Sequence, residues 1–267
     1  MPADNVAFSG SVPEKYDRFL GPLLFDPYAL DMAERVKVLS PVTILEIACG
    51  TGRVTDHLAV NLPQCTITAS DLNEDMIRFA TQRMRHENIQ WLTADAQELP
   101  FADESFDLIV CQFGFMFMPD KAKAFSEAWR VLKKNGSLLF NTWDRIEHNL
   151  PAYLSRQVVN AFFEGNPPVF YNTPFSMYNT EEIEGLLQNA GFKNITVEQV
   201  MKPGESPTAR ATAMGFIEGN PIYMEIIKKD PGSIPEIIQA LTEKLAEKLG
   251  DDPLRCELSA FVSSAVK

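Results

Sequence analysis

The 267-residue chain has only four cysteines, Cys49, Cys65, Cys111 and Cys256, and no two of them make a Cys-x-x-Cys pair. Ligands for a zinc ion would have to converge from distant segments, so no metal site is expected. Three of the four sit in or beside apolar runs, which predicts reduced, buried thiols. The chain also lacks any apolar stretch near the ~20 residues that span a bilayer. Residues 1–10 are polar and small, without the basic and apolar regions of a secretory leader. The expectation is a soluble, cytoplasmic protein with no membrane span. Positive charge is short too: 24 Lys and Arg stand against 36 Asp and Glu, a formal net charge of -12. No clustered basic block appears, so nucleic acid is not an expected partner. There is no internal repeat and no low-complexity segment.

What is present suits a globular enzyme-sized fold. At 45% hydrophobic and 22% charged residues, the chain can fill a core. Residues 11–39 predict two helices divided by Gly21-Pro22. From there strands and helices alternate: strands over 42–48, 65–70, 89–93, 106–111 and 137–142, and helices over 54–61, 74–85 and 121–132. Asn73 is the expected N-cap of the second of these helices. Asn135-Gly136 should turn the chain into the fifth strand. Continuous apolar strands separated by helices imply a doubly wound, mostly parallel sheet covered on both faces, an α/β fold. Residues 146–178 then read as irregular and aromatic-rich. A helix capped by Thr180 and stopped by Gly191 leads into a sixth strand over 194–201. About fifty residues opening at Lys202-Pro203-Gly204 interrupt the sheet, and a terminal strand over 256–266 closes it. The expected divisions are an N-terminal helical lid (1–40), a core (41–145), a cap insertion (146–178), and the end of the sheet (179–267) with a helical insertion at 203–253.

The chemistry gathers around Ile44-Leu45-Glu46-Ile47-Ala48-Cys49-Gly50-Thr51-Gly52-Arg53-Val54. An apolar strand ends in an acid, and a glycine loop then opens a helix. Such a turn brings backbone N–H groups close to a ligand because no Cβ blocks the approach. Acids also end the next two strands, Asp71 and Asp95. In a doubly wound sheet the ligand binds outside these carboxyl ends, beside the point where strand order reverses. Asp71 can accept both hydroxyls of a ribose. Asp95-Ala96 can offer a carboxylate and a backbone N–H to an adenine edge. A dinucleotide loop would carry a third glycine where this chain has Thr55. Glu46 beside a pyrophosphate would also repel it, whereas it suits a ligand with an amino group and a positive centre.

These blocks resemble those of the class I S-adenosylmethionine-dependent methyltransferases, and more narrowly the branch of ubiquinone- and menaquinone-biosynthesis-type enzymes. The matching stretches are Leu45–Gly52, Ala69–Met76, Ala94–Phe101 and Ser105–Cys111, within about residues 40–142. Ala48 stands where the family pattern often has glycine. The resemblance implies a seven-stranded Rossmann-like methyltransferase sheet with an antiparallel last strand and helical cap insertions. It implies S-adenosyl-L-methionine as cofactor. Glu46, Ala48 and the loop around Gly50 and Gly52 would hold its methionine part, Asp71 its ribose, Leu72 and Met76 the adenine face, and Asp95 and Ala96 the adenine edge. Cys111 and Gln112, with Phe113, would border the sulfonium, and Tyr16 would close over the cofactor.

Methyl transfer from a sulfonium is an in-line displacement, so alignment and water exclusion are the protein's main tasks. A base is needed only where the nucleophile enters protonated. His148, after the fifth strand, is the candidate, with Asp144 and Tyr16 beside it and Tyr153 and Tyr178 as further ones. His57 and His86 fall in or at the end of helices and read as structural or exposed. The aromatic series Phe113, Phe115, Phe117, Trp143, Phe170, Tyr171 and Phe175 fits a small apolar or aromatic substrate or, more simply, ordinary core. A monomer or homodimer is expected. The competing readings are a nicotinamide-dependent oxidoreductase and a non-catalytic S-adenosylmethionine-binding module.

Overall fold

The computed structural model describes Gly10 and residues 12–267. Its first elements are α1 (Val12–Lys15), a wide-turned π-helix (Tyr16–Phe25), α2 (Asp26–Leu39), β1 (Thr43–Ile47), α3 (Arg53–Asn61) and β2 (Thr66–Asp71). Next come α4 (Glu74–Arg83), β3 (Ile89–Thr93), β4 (Phe106–Gln112), α5 (Lys121–Val131) and β5 (Leu132–Trp143). The chain ends with α6 (Leu150–Phe162), α7 (Thr180–Ala190), β6 (Lys193–Ser206), α8 (Ala209–Glu218), α9 (Ile222–Lys229), α10 (Ile234–Leu249) and β7 (Leu254–Val266). These residues divide into two compact units.

The sheet unit comprises Tyr28–Trp143, Met177–Val200 and Ala260–Lys267. Its seven-stranded sheet has the order β3-β2-β1-β4-β5-β7-β6. β1 pairs in parallel with β2 and β4, β2 with β3, and β4 with β5, whereas β7 is antiparallel to β5. Strand order reverses between β1 and β4, which places a ligand crevice at their carboxyl ends. Ile44, Leu45, Ile109 and Val110 are buried, as strands covered on both faces require. Phe115 stacks on Phe125 at 4.2 Å and lies edge-on to Phe140, so this part of the aromatic series is core. β5 begins earlier than expected. Phe106 already pairs with Leu132 before a register shift, so the Asn135-Gly136 turn is an irregularity within the strand. Asn73 precedes α4 but makes no side-chain cap, and the cap of α7 is Asn179, not Thr180.

The helical unit comprises the residues up to Pro27, Asp144–Ser176 and Met201–Ser259. Leu20, Leu23, Phe216, Ile217, Leu241 and Leu245 form its core. A Cβ at Gly215 of α8 would stand 2.7 Å from Leu20 and 2.8 Å from Phe19, so glycine allows close packing there. The helix is not broken at Gly21-Pro22. Proline removes an N–H and clashes with the preceding turn; the turn widens instead, and the Asp26 N–H reaches back to the Gly21 carbonyl. Residues 146–178 are less irregular than expected, because α6 starts with Pro151 in its first turn, where its missing N–H costs nothing. β6 runs straight through Lys202-Pro203-Gly204.

Candidate active site

Within the sheet unit, β1 delivers Glu46 and the chain then turns through three left-handed residues, Ala48 (φ 53°), Gly50 (φ 56°) and Gly52 (φ 80°). A side chain at Gly52 would collide with the Met84 methyl and stand 3.1 Å from Trp91. Nothing lies within 4 Å of a Cβ built on Gly50, so the loop's outer side is open. Ala48 takes a left-handed backbone although it is not glycine, and Gly114 makes room for it. A Cβ there would lie 2.6 Å from both the Ala48 Cβ and the Cys111 Sγ.

The three strand-end acids are in place, each differently held. Glu46 is 1% exposed and accepts a hydrogen bond at Oε2 from Thr55 Oγ1 of α3 at 2.6 Å. Burial pushes its carboxyl up to about 8 against the pull of the Thr55 hydroxyl and backbone N–H, and the nearby Asp71 charge adds to the rise. Asp71 accepts from the Gly50 N–H at 2.9 Å and from the Asn73 N–H at 2.8 Å. Burial raises it as well, partly offset by those two N–H groups. Asp95 closes a local turn, accepting from the Gln97 N–H at 2.8 Å and from its side-chain amide at 3.1 Å. Leu72 stands exposed after Asp71, whereas Met76 and Ala96 are buried.

Glu46 pairs in register with Val110, and Gln112 with Asn141. Because side chains alternate along a strand, Gln112 and Asn141 share the sheet face of Glu46. Cys111 does not: its thiol is fully buried against Gly114, and burial pushes it up. Asn141 was not foreseen. Its Oδ1 accepts the Phe113 N–H at 2.9 Å and holds that residue at φ 52°. The Phe113 ring then stacks on Trp143 at 3.8 Å, with Tyr28 edge-on to both. Thr55, noticed in the sequence only as an absent glycine, is the group that touches Glu46.

Comparison with known proteins bears on what the chain does. Residues 45–140 match the model of a methyltransferase domain. A demethylmenaquinone methyltransferase from Listeria welshimeri is 28% identical over 221 residues, 77% of this chain and 92% of the relative. One from Staphylococcus aureus is 27% identical over 206 residues, 70% and 84% of the two chains. The chain is a class I S-adenosylmethionine-dependent methyltransferase. Solved structures share its fold. Phosphoethanolamine N-methyltransferase 2 of Haemonchus contortus, in complex with S-adenosyl-L-methionine, superposes with a TM-score of 0.61 at 21% identity, over 99% of this chain and 58% of that one. The Bacillus subtilis YcgJ protein does so with 0.58 at 18%, over 90% and 98%.

The methyltransferase's donor set fits its cofactor. Among the described residues no cationic side chain pairs with Glu46 or Asp71, so both carboxyls are left for groups a ligand brings. The open side of Gly50 leaves room for a ligand to approach the loop. Neither feature calls for a metal, and the described residues contain no cluster of metal-ligating side chains. No helix among them is long and apolar enough to cross a membrane.

The helical unit carries the other candidates. Asp144 is 3% exposed, and its Oδ2 accepts from His148 Nδ1 at 2.8 Å and Ser259 Oγ at 2.8 Å. Its Oδ1 accepts the Arg145 N–H at 2.6 Å. Asn149 fixes Ser259 by a reciprocal pair, accepting from its N–H at 3.1 Å and donating to its carbonyl at 3.0 Å. Ser259 and Asn149 carry no sequence signal for this role, since Ser259 lies 115 positions from Asp144. Tyr16 stacks on Phe25 at 4.7 Å, and Arg156 lies over Tyr153. Tyr178 belongs to the sheet unit, half-buried. His57 lies in α3, and His86, just past α4, bonds Asp56 at 2.9 Å.

Proposed function

We propose that this methyltransferase acts in the cytoplasm on a small apolar or aromatic molecule by in-line displacement. The observation that carries the cofactor half is the set of acids Glu46, Asp71 and Asp95 at adjacent strand ends around the glycine loop. The substrate half is supported by the relatives' names, which specify a demethylated menaquinone, and by the Phe113–Trp143–Tyr28 aromatic group. S-adenosylmethionine supplies a methyl group on a sulfonium that departs as a neutral thioether. Glu46 and the backbone of Ala48–Gly52 hold the methionine part, Asp71 the ribose hydroxyls, Leu72 and Met76 the adenine face, and Asp95 and Ala96 its edge. Gln112 lies toward the reacting centre. Where the nucleophile enters as a hydroxyl, His148 takes its proton at Nε2, because Asp144 engages Nδ1 and so sets the tautomer.

Calorimetric titration with S-adenosylhomocysteine tests the cofactor assignment. Asp71→Ala should weaken binding roughly hundredfold, the loss of two hydrogen bonds to a charged group. Undiminished binding by that variant would remove Asp71 from the site. Transfer of labelled methyl to quinol and phenol acceptors tests the substrate class. His148→Gln should lower turnover on phenols while leaving S-adenosylhomocysteine affinity intact.

A further inference from the structure

Glu46 combines three properties that belong together only if a cation arrives from outside. It is buried, its partners are the hydroxyl and N–H of one residue, and the nearest charge on the sheet is another acid, Asp71. The titratable groups around it are Asp71 on β2 and the Cys49 thiol in the loop, with the Cys111 thiol on the opposite face of β4, all of them acids. α3 presents Thr55, which is uncharged and wholly buried. An ionised carboxylate in such surroundings lacks compensation until a cation pairs with it.

We propose that Thr55 is a positioning residue that aims the Glu46 carboxyl, and that binding of the cofactor's ammonium group expels one proton from that carboxyl to solvent. The inference rests on the assignment of S-adenosylmethionine to this loop. The balance is simple: the Glu46 O–H bond breaks, the proton goes to buffer, and the carboxylate left behind pairs with the ligand's ammonium. Thr55 Oγ1 keeps donating to Oε2 throughout. The raised carboxyl, at about 8, means that most of the free protein carries this proton at neutral pH.

The test is calorimetric titration with S-adenosylhomocysteine at pH 7 in buffers of different ionisation enthalpy, which counts protons exchanged per ligand bound. The wild-type chain should release about one proton, and its affinity should rise close to tenfold per pH unit between pH 6 and 7. Glu46→Gln should bind with no release. Thr55→Val should bind roughly tenfold more weakly, by loss of a hydrogen bond to a charged group, and Thr55→Ser should restore wild-type affinity. Binding by the wild type without proton release overturns the inference and leaves the cofactor assignment standing. So does release that persists in Glu46→Gln, or wild-type affinity in Thr55→Val. Absence of binding overturns both.

Discussion

Glu46 in the sheet unit and Asp144 in the helical unit are nearly the same object locally. Each is a buried carboxyl with a buried hydroxyl donating to one oxygen, Thr55 at 2.6 Å and Ser259 at 2.8 Å. They ionise in opposite senses. Burial raises Glu46 to about 8. Burial also acts to raise Asp144, but His148, the Arg145 N–H and the Ser259 hydroxyl outweigh it and hold the acid below its ordinary value. Burial works against the charge at both acids, and only at Asp144 do built-in donors outweigh it. Asp144 has its donors built into the fold. Glu46 has an anion for a neighbour.

The comparison predicts opposite pH dependences. A raised acid favours the fold below its unfolded pKa, and that stability is lost as pH climbs from about 4.5 through about 8. For unliganded protein the loss at the top of that range is on the order of 4 kcal/mol, since each tenfold change in proton affinity is worth about 1.4 kcal/mol. Glu46→Gln should remove most of it in denaturant melts from pH 5 to 8, with a remainder from Asp71, which is also raised. An unchanged pH profile in the variant would mean that Glu46 ionises freely. Asp144 has the reverse sign: its stability is present above its unfolded pKa and lost as pH falls through the lower folded value. At neutral pH Asp144→Asn should cost about 2–3 kcal/mol, since an amide opposes the donors His148 and Ser259. A cost below about 0.5 kcal/mol would show that the amide finds other partners.

These two acids also mark how far a sequence reveals a site. Glu46 was legible because it ends an apolar strand ahead of a glycine loop, and β3 has the bounds its apolar run implies. Both signals are local. Thr55 and Ser259 act on their acids across a turn or across the chain, so neither is visible until the fold is known. The same limit explains the errors in the elements. Pro203 read as a break, yet β6 runs through it as the edge strand of the sheet, the place in a sheet where proline is tolerated. Gly21-Pro22 read as a stop, yet a widened turn absorbs the proline. The cap of α7 was misplaced by one residue because Asn179 and Thr180 are both good caps.

Backbone strain separates the two acids as well. β1 and β4 each lead into a left-handed non-glycine residue, Ala48 and Phe113, whereas no such residue flanks Asp144. Gly114→Ala tests how tightly the strained turn is packed. Its Cβ would stand 2.6 Å from the Ala48 Cβ and the Cys111 Sγ, and overpacking of this kind costs about 1–3 kcal/mol. Ala48→Gly should have the smallest effect and the opposite sign. Relief of the left-handed conformation is worth about 1 kcal/mol, and the added freedom of the unfolded chain takes back roughly half of it. The two changes should not add. Removing the Ala48 Cβ clears one of the two contacts that Gly114→Ala would crowd, so the double variant should recover part of that cost, on the order of 0.5–1 kcal/mol of coupling by urea denaturation. Strict additivity would mean that Cys111 alone sets the limit at Gly114, and that Ala48 is strained for reasons unrelated to this contact.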